Sequence, residues 1–205
     1  MRAYVDQAKS WPPQGQAVLA QFDDETVVVY QAFIRKIAHY AVDRQRFGGG
    51  FSMDRMSWIK PGFVWMMHRS EWATAEGQER VLAIWIRRAA FDEMLARAVL
   101  SRYEAGNPLS QEEWRAAIAD SEIRLQWDPD YDPRGMKLKR RALQLGLSGE
   151  TLRAYAHDWI VEIQDITDYA HEQARFREQP ALLLTPVEKP YPIDRETARR
   201  IGAGT

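Results

Sequence analysis

The stretch Ile123-Arg124-Leu125-Gln126-Trp127-Asp128 alternates apolar and polar side chains without a break. Successive side chains on a strand point to opposite faces, so this pattern reads as a half-buried β-strand. Lys139 to Leu147 alternates too, with Leu143, Leu145 and Leu147 in one phase. Between the runs lies the polar, proline-pinned stretch Asp128-Pro129-Asp130-Tyr131-Asp132-Pro133. If the two strands are antiparallel neighbours, Arg124, Gln126 and Asp128 share a face with some of Arg140, Ala142, Gln144 and Gly146. Amides and guanidiniums converging on such a face can read a phosphate or a base edge. The plainer reading is the solvated outer face of an antiparallel sheet.

Working outward, Thr26 to Ala32 is rich in β-branched residues and reads as a strand. Ile34, Ile37, Ala38, Ala41 and Val42 follow at helical spacing, and Gly48-Gly49-Gly50 ends that pattern as a flexible connector. Arg80 to Arg87 carries six consecutive apolar residues and reads as a buried strand. Phe91, Met94, Leu95, Ala98 and Val99 mark an amphipathic helix behind it. Ser110 and Glu113 form a capping box that opens a further helix holding Trp114 and Ile118. Leu152, Tyr155, Ala156, Trp159, Ile160 and Ile163 form one stripe and predict the longest helix. Strands and helices are mixed without strict βαβ alternation, so the expected class is α+β: a single domain, mainly antiparallel sheet with packed helices. Residues 1–16 read as an N-terminal arm, 17–176 as the α+β domain, and 177–205 as a proline-rich extension ending in a short helix from Asp194.

Composition narrows the function classes. The 205 residues are 45% hydrophobic and 28% charged, and the net charge is −1. That suits a globular core and argues against a general DNA-coating protein, while leaving room for a local basic patch. With no cysteine, disulfide partners, thiolate metal sites and cysteine nucleophiles are excluded together. The absence of cysteine suits a reducing compartment. The first residues lack the apolar run of a leader, and no apolar run approaches a bilayer span of about 20 residues. A cytoplasmic location with no membrane partner is the expectation.

Histidines 39, 68, 157 and 171 form no His-Glu-x-x-His pattern, so no metal is expected. Asp128, Asp130 and Asp132 begin like a calcium loop, but Pro133 and Lys139 stand where the turn glycine and final glutamate belong. Neither a phosphate-binding loop nor a Gly-x-Ser-x-Gly elbow is present.

The stretch Phe51 to Trp72 interleaves Arg55, Lys60, His68 and Arg69 with Trp58, Trp65, Trp72, Phe51 and Phe63. Pro61 suits the first position of a helix. On that helix Trp65, Arg69 and Trp72 would share a face, with Phe63, Met66, Met67 and Ser70 on another. A guanidinium stacks favourably on an indole, and the pair can sandwich a base or a nicotinamide-like ring. Simple core packing of the tryptophans and methionines is the competing reading.

Val29-Tyr30-Gln31-Ala32-Phe33, Arg55-Met-Ser-Trp-Ile-Lys-Pro-Gly-Phe-Val-Trp-Met-Met67, His68-Arg-Ser-Glu-Trp72, Gly77-Gln-Glu-Arg-Val-Leu-Ala83, Gln126-Trp-Asp-Pro129 and Gln144-Leu-Gly-Leu147 resemble the family called domain of unknown function 4291. The likeness runs from about Val18 to Thr167. It implies no activity, so the functional reading comes from the residues.

Two readings follow from them. In the first, the protein binds or modifies a nucleotide or RNA-end ligand in a basic, tryptophan-lined cleft, with ADP-ribosyltransferase-like or RNA-processing chemistry fitting the residue types. Arg55, Lys60, Arg69 and Arg124 would hold phosphate, the tryptophans, Trp65 among them, would stack a ring, and Gln126 and Gln144 would contribute hydrogen bonds. Glu79 is the candidate general base or transition-state stabiliser, and NAD or another nucleotide the candidate cofactor. In the second, the aromatic and basic patch docks a protein partner without catalysis.

Overall fold

Gln126 stands directly opposite Gln144 in an antiparallel pair formed by the two longest strands, Ile123–Tyr131 and Lys137–Leu147. In the computed structural model, which describes residues 1–103 and 107–204, this pair is the centre of a five-stranded sheet. Gln14–Gln16 and Val99–Leu100 add short parallel strands on either side, and Ser57–Ile59 pairs antiparallel with Leu145 to Leu147. A second sheet is antiparallel throughout, in the order Ile160–Asp165, Arg80–Arg87, Thr26–Phe33. Where the Ser57–Ile59 strand ends, Tyr30 and Lys60 exchange both backbone hydrogen bonds, at 2.7 and 3.2 Å. That bridge ties one sheet to the other.

Alternation decides where the apolar side chains go. Val27, Val29, Leu82, Ile84 and Ile86 face Ile123, Leu125, Leu143, Leu145 and Leu147 in a large common core. The opposite phase of the three-stranded sheet, with Val28, Tyr30, Val81 and Ala83, builds a second core against Phe63, Met66 and Met67 of the Phe63–Arg69 helix. Strands buried on both faces must be apolar in both phases, which is why Arg80–Arg87 carries a continuous apolar run. The protein is thus α+β, one domain, with mainly antiparallel sheets.

Both ends of the chain are part of this framework. Tyr4 and Trp11 belong to the second core, and Arg2–Ala3 pairs with Leu184–Thr185. Lys189–Pro190 pairs with Leu19–Ala20. The Trp127 indole donates to the Ile201 carbonyl at 2.7 Å, fastening the terminal helix Arg195–Ile201 over the five-stranded sheet. Asp194 caps that helix through the Glu196 and Thr197 amides.

Several expectations need correction. The stripe from Leu152 to Ile163 is not one helix: an α-helical turn, Gly149–Ala154, passes through a π-helical turn, Tyr155–Trp159, into the strand Ile160–Asp165. The exposed edge of Arg80–Arg87 takes up the Ile160–Asp165 segment, and strand pairing overrides the helical spacing. Ile160 is accordingly half-buried, while Leu82, Ile84, Leu95, Leu143 and Leu145 are buried. The helix after Pro61 begins only at Phe63, with Gly62 as its N-cap residue. It ends at Arg69, and Glu71, Trp72 and Ala73 then adopt left-handed φ values of 50°, 58° and 66°. Three such residues in succession reverse the helical hand, so Trp72 does not continue the Trp65–Arg69 face.

Candidate functional site

The polar phase of the central strand pair builds the site. Register places Arg124 opposite Gly146, Gln126 opposite Gln144 and Asp128 opposite Ala142, all on the side away from the large core. Asp128 collects the two amides. Gln126 Nε2 donates to its Oδ1 at 2.6 Å, and Gln144 Nε2 donates to Oδ2. A carboxylate only accepts, so both carboxamides must turn their nitrogens inward. The Gln126 carbonyl accepts from Ser101 Oγ at 3.5 Å. The Gln144 carbonyl has no partner among the described residues.

Gly146 leaves room above the Arg124 end of this face. A Cβ there would lie 2.6 Å from Met56 Sδ and 3.0 Å from Trp58 Cε2, so these two side chains rest directly on its backbone. Trp58 stands opposite Gly146, and Lys60, two residues on, leaves the strand on the same side.

Lys60 is 6% exposed, yet its ammonium has neither an ion pair nor a hydrogen bond among the described residues. Burial lowers its pKa to about 8, helped by Arg69 and opposed by Asp128. The amine is therefore partly neutral near physiological pH and gains charge when an anion arrives. Arg124 is half-buried, its Nε is buried without a hydrogen-bond partner, and no carboxylate among the described residues pairs with it. Arg140, further along the sheet, is already committed, since it donates to Asp130 at 2.7 Å and to the Pro12 carbonyl at 2.9 Å.

Beyond Asp128 the Phe63–Arg69 helix covers the sheet. The Trp65 ring is parallel to Tyr131, which lies 3.6 Å from the His68 ring, and Trp65 is only 7% exposed. Trp65, His68 and Arg69 line a hollow of about 590 Å³ together with Asp132, Arg134, Arg177 and Glu178. Burial and the Arg69 charge both lower the His68 pKa.

The residues singled out from sequence are thus partly gathered. Lys60, Arg124, Gln126 and Gln144 belong to one face. Trp65 and Arg69 form the wall beside it, and Arg69 is close enough to act on the Lys60 charge. Arg55 is exposed just before the Ser57–Ile59 strand. Glu79 lies apart. Its carboxylate is exposed and accepts from the Gly77 amide at 2.8 Å, in a separate hollow with Arg35, Arg80 and His171. Sequence reasoning passed over Met56 as a site wall and left open which tryptophan would stack a ring; the half-buried indole resting on Gly146 is Trp58. The available signal was Gly146, whose small size inside a strand marks a close approach.

Fold and site together define an α+β protein with a polar sheet face on which Lys60 and Arg124 have no ion-pair partner among the described residues. The family model described as "Domain of unknown function (DUF4291)" matches residues 17–191, and the chain belongs to that family. None of the curated protein sequences compared with the chain matches it.

Proposed function

We propose that the protein binds a nucleotide or an RNA end by its phosphate on the sheet face of Lys60, Arg124, Gln126 and Gln144. The observation that carries this reading is Lys60. Its stem is buried while the ammonium keeps solvent contact, and a bound phosphate would supply the ion-pair partner that no described side chain supplies. Arg124 offers a second, bidentate donor for the same group. The free Gln144 carbonyl can accept from a base amino group or a ribose hydroxyl. Trp58 supplies the half-buried aromatic face for stacking a ring.

NAD and an RNA end share this chemistry of phosphate, ribose and aromatic ring. For a transfer reaction such as ADP-ribosylation or RNA processing, the carboxylate that shares this face is Asp128, whereas Glu79 opens into another hollow. The alternative of an aromatic patch that docks a protein has less support, since Trp65 and Trp72 are only 7% and 6% exposed.

The test is thermal melting with NAD, nucleoside triphosphates and short 5′-phosphorylated RNA. A ligand at a hundred times its Kd adds about 2.7 kcal/mol to stability, a shift of several degrees. Wild type should respond to at least one compound, and Lys60→Met and Arg124→Met should not. An unresponsive wild type, or variants that respond equally, would refute the assignment.

A further inference from the structure

Arg102, Arg141, Arg195, Arg199 and Arg200 line a single cleft of about 650 Å³, and no aspartate or glutamate among the described residues lines it. The five come from a loop, a strand and the terminal helix, so no one periodicity produces the cluster. The cleft is firmly built. Trp127 holds the Ile201 carbonyl, Arg141 donates to the Trp127 carbonyl at 3.0 Å, and Arg200 donates to the Leu95 carbonyl at 3.1 Å. Arg102, Arg195 and Arg199 have no hydrogen-bond partner among the described residues. None of the ion pairs among those residues includes any of the five. Arginines at the end of a helix suit its dipole, which accounts for Arg199 and Arg200 but not for the other three.

Five cations facing one concavity repel one another, in a chain whose net charge is −1. A polyanion relieves that repulsion. All five are arginine, the side chain whose planar fork matches phosphate oxygens. A recessed cleft suits a strand lying in it better than a flat membrane surface. Gln126 connects this cleft to the site described above: it lines the cleft and also holds Asp128 on the polar face.

We infer that the arginine cleft carries the phosphodiester backbone of a single-stranded nucleic acid, whose end passes Gln126 to reach the Lys60 face. This rests on the proposed phosphate site and narrows its substrate from a free nucleotide to a chain. Fluorescence anisotropy with a labelled, 5′-phosphorylated eight-nucleotide RNA tests it, with DNA of the same sequence and polyglutamate as further arms. Wild type should bind the RNA with an affinity that falls as salt rises, by a log–log slope of about −0.7 for each phosphate contacted. The double variant Arg195→Glu/Arg199→Glu, altered at exposed positions only, should bind at least tenfold more weakly with its melting temperature unchanged. Its melting response to a mononucleotide should equal that of wild type. DNA binding that is lost in the same variant would also support the inference, because the cleft grips backbone.

Undiminished RNA binding by the double variant would overturn it, as would polyglutamate binding as tightly as RNA. The two sites fail separately. RNA binding that depends on the arginines, beside a wild type deaf to mononucleotides, would sink the Lys60 reading alone. A mononucleotide response lost in Lys60→Met, with RNA binding indifferent to the arginines, would sink the cleft alone.

Discussion

Gln126 and Gln144 are direct cross-strand partners, and both turn their amide nitrogens onto the one carboxylate of Asp128. The arrangement fixes two flexible side chains with a single charge and leaves the Gln144 carbonyl outward. It also sets the charge that faces Lys60.

Asp128→Asn should disturb both. An asparagine offers one acceptor where two were used, so one amide loses its partner, at a cost of about 1–3 kcal/mol. Asp128 also raises the Lys60 pKa, so its removal should lower that pKa further. Denaturant unfolding would measure the first effect. The pH dependence of amine labelling at Lys60 would measure the second, with the labelling curve moving to lower pH.

Lys60 itself sets a pH dependence of stability. Its pKa falls from 10.5 unfolded to about 8 folded, so the folded form binds fewer protons in between. Stability linked to Lys60 is complete above pH 10.5 and is lost as pH falls towards about 8. The full difference is on the order of 3 kcal/mol. Lys60→Met should therefore be more stable than wild type at pH 7, with the gap closing as pH rises from 8 to 10. Urea unfolding of both proteins across that range is the check, and a pH-independent gap would contradict it.

Glu188 works in the opposite direction. Its buried carboxyl accepts from the Phe63 amide at 2.6 Å, and burial pushes its pKa from 4.5 up to about 8. Its contribution to stability is complete below pH 4.5 and is lost as pH rises towards about 8. Glu188→Gln keeps an acceptor for Phe63 without the charge. Its melting temperature should match wild type at pH 4.5 and exceed it at pH 8.

The core is a simpler matter. Leu145 is fully buried between the sheets, so Leu145→Ala should cost about 2–5 kcal/mol by lost transfer energy and cavity. Arg69→Ala, at an exposed position, should cost well under 1 kcal/mol. Chemical denaturation of both variants would separate brace from surface.

Much of this framework was legible because it is local. The period-two alternation in Ile123–Asp128 gave the strand, its phase and the shared face of Arg124, Gln126 and Gln144. The Ser110–Glu113 capping box is present as read, with each partner bonded to the other's backbone. What sequence concealed depends on distant pairing. Ile160–Asp165 keeps helical spacing, but an open strand edge claims it. The left-handed run at Glu71, Trp72 and Ala73 contains no glycine to announce it. The arginine cleft assembles residues from Arg102 to Arg200, and no local pattern links them. Lys60 stood out as a basic residue among aromatics, but its isolation from any counter-ion is a property of the packed structure.

Arg124 gives the sharpest separation of site from scaffold. Arg124 is half-buried, and its Nε is buried without a hydrogen bond, so that atom carries a cost in the protein without ligand. Truncating a paired, buried arginine typically costs about 3–5 kcal/mol; replacing Arg124 by Met removes one buried, partnerless N–H and keeps an aliphatic stem. Arg124→Met should therefore hold or raise the melting temperature, while weakening nucleotide binding at least tenfold. Arg124→Lys should restore charge but not the planar fork, and so recover only part of the affinity. Melting curves with and without ligand on the three proteins decide the matter. A large stability loss in Arg124→Met, with ligand affinity intact, would make Arg124 a structural strut and move the phosphate off this sheet face.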